Sequence, residues 1–163
     1  MLNFQKTKID DFAEIWRIYK NVIKNGDSYL DNLAKTDKNY AKQKWLNSSS
    51  INIIAKLDNK VVGFYSLRNN YKDYGSHVAN GSYIVNPDFR QKGFGKKIAL
   101  HSLDEARKAG YKAMQFNFVV ATNIAAIKLW QSVGFKIIGT SPKSYQHQGL
   151  KKLVDNHIMH IFL

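Results

Sequence analysis

Cysteine is absent from all 163 residues. That excludes a disulfide scaffold, a thiolate metal site, an iron–sulfur cluster and a cysteine nucleophile. A reducing compartment suits such a chain. Proline is nearly absent as well: only Pro87 and Pro142 occur, and each marks a loop. No apolar run approaches the roughly 20 residues that a membrane span needs. Met1 to Lys6 lack the basic-then-apolar build of a secretory leader. Repeats, low-complexity tracts and linkers are missing too. The expectation is one soluble domain over residues 1–163, in the cytoplasm and off the membrane. A chain of this length buries about 70% of the surface that its unfolded form exposes, so a full core needs no staples.

Acidic residues are scarce. There are 12 against 25 basic ones, for a formal net charge of +13. Only Glu14 and Glu105 are glutamates, and the basic set is 21 Lys and 4 Arg. The excess predicts an anionic partner, either nucleic acid or a small phosphorylated cofactor. Arginine supplies the bidentate fork that reads bases, and it is rare here. The lysines are spread along the chain and do not interleave with aromatics on one patch. A basic nucleic-acid-binding module is therefore the rival reading and a cofactor enzyme the main one.

The hydrophobic pattern orders the chain as β-α-α-β-β-β-α-β-α-β-β. Leu2 to Lys6 reads as a short strand. Phe12, Ile15, Trp16, Tyr19, Val22 and Ile23 put one apolar stripe on a helix. A second helix covers Lys38 to Leu46. Ile51 to Leu57 and Lys60 to Leu67 form a hairpin about Asp58-Asn59. After a loop from Arg68 to Ser76, His77 to Val85 is a third long strand. Gly95 to Gly110 is helical, and Ala113 to Val119 is a strand. Asn123 caps a helix that stops at Gly134. Phe135 to Gly139 is short and extended, Ser141 to Leu150 is a loop, and Asn156 to Leu163 closes as a strand. Helices alternate with strands only in the second half, so an α/β fold with a mixed sheet is expected.

The segment Tyr83-Ile84-Val85-Asn86-Pro87-Asp88-Phe89-Arg90-Gln91-Lys92-Gly93-Phe94-Gly95-Lys96-Lys97 carries the chemistry. A strand ends, and a helix opens on a basic loop rich in glycine. The first amides of a helix lack internal partners and point outward at the positive end of its dipole. Gly93 and Gly95 let an anion approach the backbone, which makes a pyrophosphate cradle. The triphosphate loop with Gly-Lys-Ser/Thr is absent. The dinucleotide fingerprint fails because Ile98 stands where it needs glycine or alanine. Asn123-Ile124-Ala125-Ala126-Ile127-Lys128-Leu129-Trp130-Gln131-Ser132-Val133-Gly134-Phe135, on its own, is a capped amphipathic helix.

Together these two segments resemble the GCN5-related N-acetyltransferase family. Its acyl-CoA loop, Arg/Gln-x-x-Gly-x-Gly/Ala after a strand ending hydrophobic-x-Pro, is matched from Val85 to Gly95. Its second motif, Asn-x-x-Ala-x-x-Leu-Tyr-x-x-x-Gly-Phe, is matched at Asn123, Ala126, Leu129, Gly134 and Phe135. The resemblance implies a mostly antiparallel central sheet flanked by helices, with two central strands splayed by a bulge. Acetyl-CoA would be the co-substrate. Ile84 and Val85 would pair with its pantetheine arm. The loop Arg90, Gln91, Lys92, Gly93, Phe94, Gly95 and Lys96 would hold its pyrophosphate, and Asn123 and Asn117 would face the same slot. A homodimer is compatible with the family, and no metal is implied.

The family's usual base is a carboxylate on the strand ending near Val85, and its usual acid is the tyrosine of the second motif. Here the strand His77-Val78-Ala79-Asn80-Gly81-Ser82-Tyr83-Ile84 holds no carboxylate, and Trp130 replaces the tyrosine. An indole is no general acid. Asn80 remains as a residue that orients the acceptor, and His77 as a candidate base. Asp27, Asp31 and Asp73 lie in loops that often line the acceptor site in this family. Trp16, Tyr19, Tyr29, Tyr40 and Trp45 read as core and cleft wall. Tyr145 and His147 would lie in a loop covering the substrate end. Certain members acetylate cyclic imino acids such as azetidine-2-carboxylate, and this sequence is similar to that branch around Asn80, Asn117 and Asn123. The expected activity is acetyl transfer to the amine of a small molecule or amino-acid-like substrate. Acetylation of a protein N-terminus or lysine is an alternative, and so is a CoA sensor without turnover.

Overall fold

The computed structural model describes all 163 residues. The elements are β1 (Asn3–Lys6), α1 (Phe12–Lys24), α2 (Lys38–Trp45), β2 (Ile51–Leu57), β3 (Lys60–Asn69), β4 (Val78–Val85), α3 (Phe94–Lys108), β5 (Ala113–Val120), α4 (Ile124–Ser132), β6 (Lys136–His147) and β7 (Lys152–Phe162). The strands form one sheet in the order β1-β2-β3-β4-β5-β7-β6. Only the β4–β5 pair is parallel; the other five pairings are antiparallel. The expected order of elements and the mixed sheet are both present.

Local chemistry explains the ends. The Asp37 side chain accepts from the Tyr40 amide at 2.8 Å and opens α2. Asn123 does the same for α4 through the Ala126 amide at 3.1 Å. Past α4 the chain turns at Gly134, where φ is +105° and a side chain would be strained. Asp58 and Asn59 both take positive φ in the β2–β3 turn, a conformation that Asp and Asn tolerate.

Two apolar layers cover the sheet. Ile15, Tyr19 and Ile23 of α1 and Trp45 of α2 pack with Ile54, Phe64 and Ile84 on one face. Ile98 and Leu103 of α3 and Ile127 and Trp130 of α4 pack with Tyr65, Met114 and Phe116 on the other. No helix is long and apolar enough to cross a membrane.

The central feature is the parting of β4 from β5. They pair only at Val78↔Ala113 and Ala79↔Met114 and then diverge. The expected splay is there, but the bulge is not in β4. β4 keeps an unbroken register with β3 from Asn69↔Ala79 to Gly63↔Val85. The irregularity falls in β5, between Phe116 and Val119, against β7.

The C-terminal reading needs correction. The short strand and following loop expected over 135–150 are a single long strand, β6, with register shifts between Ile137 and Gly139 and between Ser141 and Tyr145. Pro142 sits in the second shift. β6 is the sheet's edge, and a bulge on an edge is where a strand tolerates proline. Tyr145 and His147 are therefore buried strand residues and form no covering loop.

Candidate active site

A cleft of about 760 Å³ opens where β4 and β5 part, a size that holds a small ligand. Hydrogen bonding decides which backbone groups face it. The Asn86 amide donates to the Val62 carbonyl, and the Asn70 amide to the Val78 carbonyl. Antiparallel pairs alternate between bonded and non-bonded positions. Asn80, Ser82 and Ile84 are thus bonded to β3, while the amides and carbonyls of Gly81, Tyr83 and Val85 face the cleft. Of the two residues expected to pair with a pantetheine arm, Val85 is free to do so. Ile84 is withdrawn from that role, since its backbone is engaged opposite Phe64. Tyr83 turns its backbone to the same side, where the Tyr29 hydroxyl covers it.

The glycine loop lies at one end of this edge. No acceptor within the chain takes the backbone amides of residues 91–96. Gln91 and Gly93 both have positive φ, +59° and +76°, which turns successive amides to one side. A Cβ on Gly95 would stand 3.3 Å from Leu129 Cδ2 and 3.7 Å from Val85 Cγ2, at the cleft wall. Arg90, Gln91, Gly95 and Val85 line the cleft. Lys92 and Lys96 are exposed, and Lys92 Nζ folds back to the Asp88 carbonyl at 3.1 Å. Phe94 packs edge-on against Phe89, with centroids 6.1 Å apart, and anchors the loop from below. Unpaired amides at a helix start, flanked by lysines, fit a pyrophosphate.

All three asparagines line the cleft, and two of them share a partner. Asn80 Nδ2 and Asn117 Nδ2 both donate to Asn70 Oδ1, at 3.0 and 2.7 Å. Asn123 Nδ2 reaches Ser28 Oγ at 3.3 Å, and Ser28 Oγ donates to Asp27 Oδ1 at 2.6 Å. His77 does not join them. It is exposed at the far end of β4, with Nδ1 3.1 Å from the Tyr74 carbonyl. Six residues of extended chain put it roughly 20 Å from Tyr83, too far for a base. Asp73 is likewise exposed and outside the cleft.

The remaining walls hold Asp27, Asp31, Tyr29 and Tyr40, which the sequence reading puts at the acceptor site or cleft wall, together with Lys44 and Arg68, which it does not mark. Asp31 accepts from Tyr40 Oη and Lys44 Nζ, both at 2.5 Å. Burial alone would raise its carboxyl; the bonds from Lys44 and Tyr40 outweigh this and hold it below the ordinary carboxylate range. Burial and the Asp31 bond push the Tyr40 hydroxyl up to about 12. The Lys44 ammonium lies 4.8 Å from the centre of the Tyr29 ring. Arg68 lines the same end and makes no ion pair; its Nη1 donates to Ser82 Oγ at 3.2 Å. Tyr29 Oη donates to the Tyr83 carbonyl at 2.7 Å and accepts from the Tyr83 amide at 3.1 Å.

Trp130, standing where the family tyrosine would be, is core. Its ring lies 4.5 Å from Phe116 and 4.7 Å from Tyr83. The cleft thus offers an amide cradle, a strand edge bare at Val85 and covered by Tyr29 at Tyr83, and a polar chamber holding the unpaired Arg68 guanidinium. It offers no acid at the second-motif position.

The sequence profile of the Acetyltransferase (GNAT) family matches residues 10–135. Among curated proteins, the chain is 35% identical over 98 residues to N-acetyltransferase aca1 of Schizosaccharomyces pombe, covering 60% of this chain and 47% of that protein. This chain therefore spans about half the length of that relative. It is 27% identical over 139 residues to the L-amino acid N-acyltransferase MnaT of Escherichia coli, covering 82% and 78%. Among solved structures, a GCN5-related N-acetyltransferase from Kribbella flavida superposes with a TM-score of 0.93 at 31% identity, over 99% and 98%. The yncA structure of Salmonella typhimurium, determined with its cofactor acetyl-CoA, has a TM-score of 0.84 over 100% and 94%. At 22% identity that second likeness concerns the fold alone. Sheet, splay, amide cradle and matched profile agree, and the chain belongs to the GCN5-related N-acetyltransferase family.

Proposed function

We propose that the protein is an acetyl-CoA-dependent N-acetyltransferase whose acceptor is the amine of a small, amino-acid-like molecule. The observation that carries this reading is the continuity of the cleft. The free amides of residues 91–96 lead along the β4 edge, bare at Val85, into a chamber where Arg68 has no acid partner. The cradle suits the pyrophosphate of acetyl-CoA, and the edge at Val85 suits the amides of its arm. Bound acetyl-CoA supplies an activated acyl carbon to the chamber. Arg68 and the amide side chains of Asn80 and Asn117 suit a carboxylate on the acceptor. The likeness to an L-amino acid N-acyltransferase supports the same class.

An attacking amine must first be neutral, since alkyl ammonium groups lose their proton only near pH 10. Asp31 is a poor base because two donors hold it ionised. Asp27 lines the cleft with a hydroxyl and no cation on it, which leaves it as the acceptor for that proton, directly or through water.

Thermal melting with acetyl-CoA, with ATP and a DNA duplex as controls, tests the first half. Ligand at 100 times its dissociation constant adds about 2.7 kcal/mol. At this chain size that is a rise of roughly 5–10 °C. Thiol release across a panel of amino and imino acids tests the second half. Arg68→Met and Asn80→Ala should raise the acceptor KM at least tenfold and leave acetyl-CoA affinity nearly unchanged. A melt that shifts with DNA and not with acetyl-CoA would reverse the reading. Binding of acetyl-CoA without turnover of any amine would make the protein a sensor.

A further inference from the structure

We propose that the Tyr29 hydroxyl is a catalytic hydrogen-bond donor to the thioester oxygen of the bound acetyl group, acting beside the Tyr83 amide. The inference rests on the reading of the cleft as an acetyl-CoA site.

The argument starts from the β4 edge. An arm laid along it from the cradle meets Val85 first and Tyr83 about 7 Å later. At Val85 the edge is bare. At Tyr83 it is covered: one phenol oxygen takes both the amide, at 3.1 Å, and the carbonyl, at 2.7 Å. That oxygen holds the position on the Tyr83 amide that an incoming acyl oxygen would claim.

Tyr29 cannot swing far away when that happens. Tyr145 Oη donates to its carbonyl at 3.0 Å. Its ring meets Tyr19 and Trp45 edge-on, with centroids 6.0 and 6.3 Å apart. The Lys44 ammonium lies over its face. A displaced hydroxyl so held stays beside the oxygen that displaced it. Once the Tyr83 amide donates to the acyl oxygen, the phenol turns its own proton from the Tyr83 carbonyl to the same oxygen, and an amide N–H of the pantetheine arm laid along the edge takes over that carbonyl. Negative charge develops there as the amine attacks, and two preorganised donors stabilise it. Burial pushes the phenol up from its ordinary range, so it donates a hydrogen bond and keeps its proton. No bond to Tyr29 forms or breaks. The other hydroxyl nearby, Tyr83 Oη, is already bonded to Ser102 Oγ at 3.0 Å.

The test is Tyr29→Phe, which keeps the ring and its packing. In the ligand-free variant the Tyr83 amide should exchange its hydrogen faster. With carbonyl-13C acetyl-CoA bound, the thioester stretch should move toward its value in solution. Turnover should fall about 100-fold, the size of losing one such donor, with acetyl-CoA affinity equal or tighter. Should the variant melt too early for these readings, 3,5-difluorotyrosine at position 29 is a stronger donor and should move the stretch the opposite way. An unchanged stretch in both variants, or Tyr29→Phe turnover within threefold of wild type, overturns the proposal. Wild-type protein that binds no acetyl-CoA overturns the cleft assignment itself. Those two failures are distinguishable because the stretch is read on bound ligand and needs no acceptor.

Discussion

Asp31 lies under the acceptor end of the cleft, with two donors on its carboxylate and a side chain only 7% exposed. Removing that charge strands the Lys44 ammonium, whose side chain is 18% exposed. Breaking a pair this buried costs about 3 kcal/mol, below the full interior value because Lys44 keeps some water. Asp31→Asn should therefore lower the melting midpoint by about 9 °C at pH 7. The pH dependence has a definite sign. A carboxyl whose folded value is depressed stabilises fully above its unfolded value and loses that contribution as pH falls through the folded one. The ordinary value is 3.8, so the gap between wild type and Asp31→Asn should narrow below that pH. An equal gap at pH 7 and pH 3 would show that the loss comes from packing, not charge. Asp31 is among the loop acids expected at the acceptor site, but the rest of the chamber is only partly legible in the sequence. Asn123 stands out locally as a helix cap, whereas Asn80 and Asn117, inside β4 and β5, stand out only through the family resemblance. Tyr29 reaches the Tyr83 backbone across 54 residues, and no local spacing encodes that meeting. The hydrophobic pattern ends β3 at Leu67, but the strand runs two residues further, which puts Arg68 in the sheet and not at the start of a loop.

At the scale of elements, α3 and β4 make the donor half of the cleft, and Gly95 is their point of contact. An alanine there would press Leu129 Cδ2, at 3.3 Å, which is the end of a flexible side chain and can yield. Valine adds two more methyls on the first turn, against the wall formed by Val85 and Leu129. Gly95→Val should abolish the melting shift with acetyl-CoA while the ligand-free midpoint stays within a few degrees. An undiminished shift would remove the loop from the binding site. This half was legible from the sequence because a glycine-rich helix start is a local pattern whose physics is complete in six residues. The other end of the sheet was not. Pro142 reads as a break, yet β6 carries it in an edge bulge, because the sheet needs no amide from that position. His77 failed for a related reason. The alphabet of catalysis favours histidine, but β4 is long enough to carry it out of the cleft at the opposite end.

For the whole molecule, the net charge of +13 is a field around a cleft that takes a polyanion. The cradle itself is built of backbone amides, with Lys92, Lys96 and Lys97 exposed around it. These two contributions respond differently to salt. Exposed lysines act through solvent and are screened over a Debye length of about 10 Å at 0.1 M. Amide hydrogen bonds at contact distance are not. The KM for acetyl-CoA should therefore rise severalfold between 0.05 and 0.5 M salt while kcat stays constant, since the field guides encounter and takes no part in the bond exchange. Lys96→Gln with Lys97→Gln should flatten that dependence without removing binding. A salt-independent KM would assign the whole of the recognition to the amides and leave the lysine excess without a part in it. A kcat that falls with salt would instead place a screened charge inside the chamber. Arg68 is then the group to test, because it is the cation at the acceptor end of the cleft without a carboxylate partner.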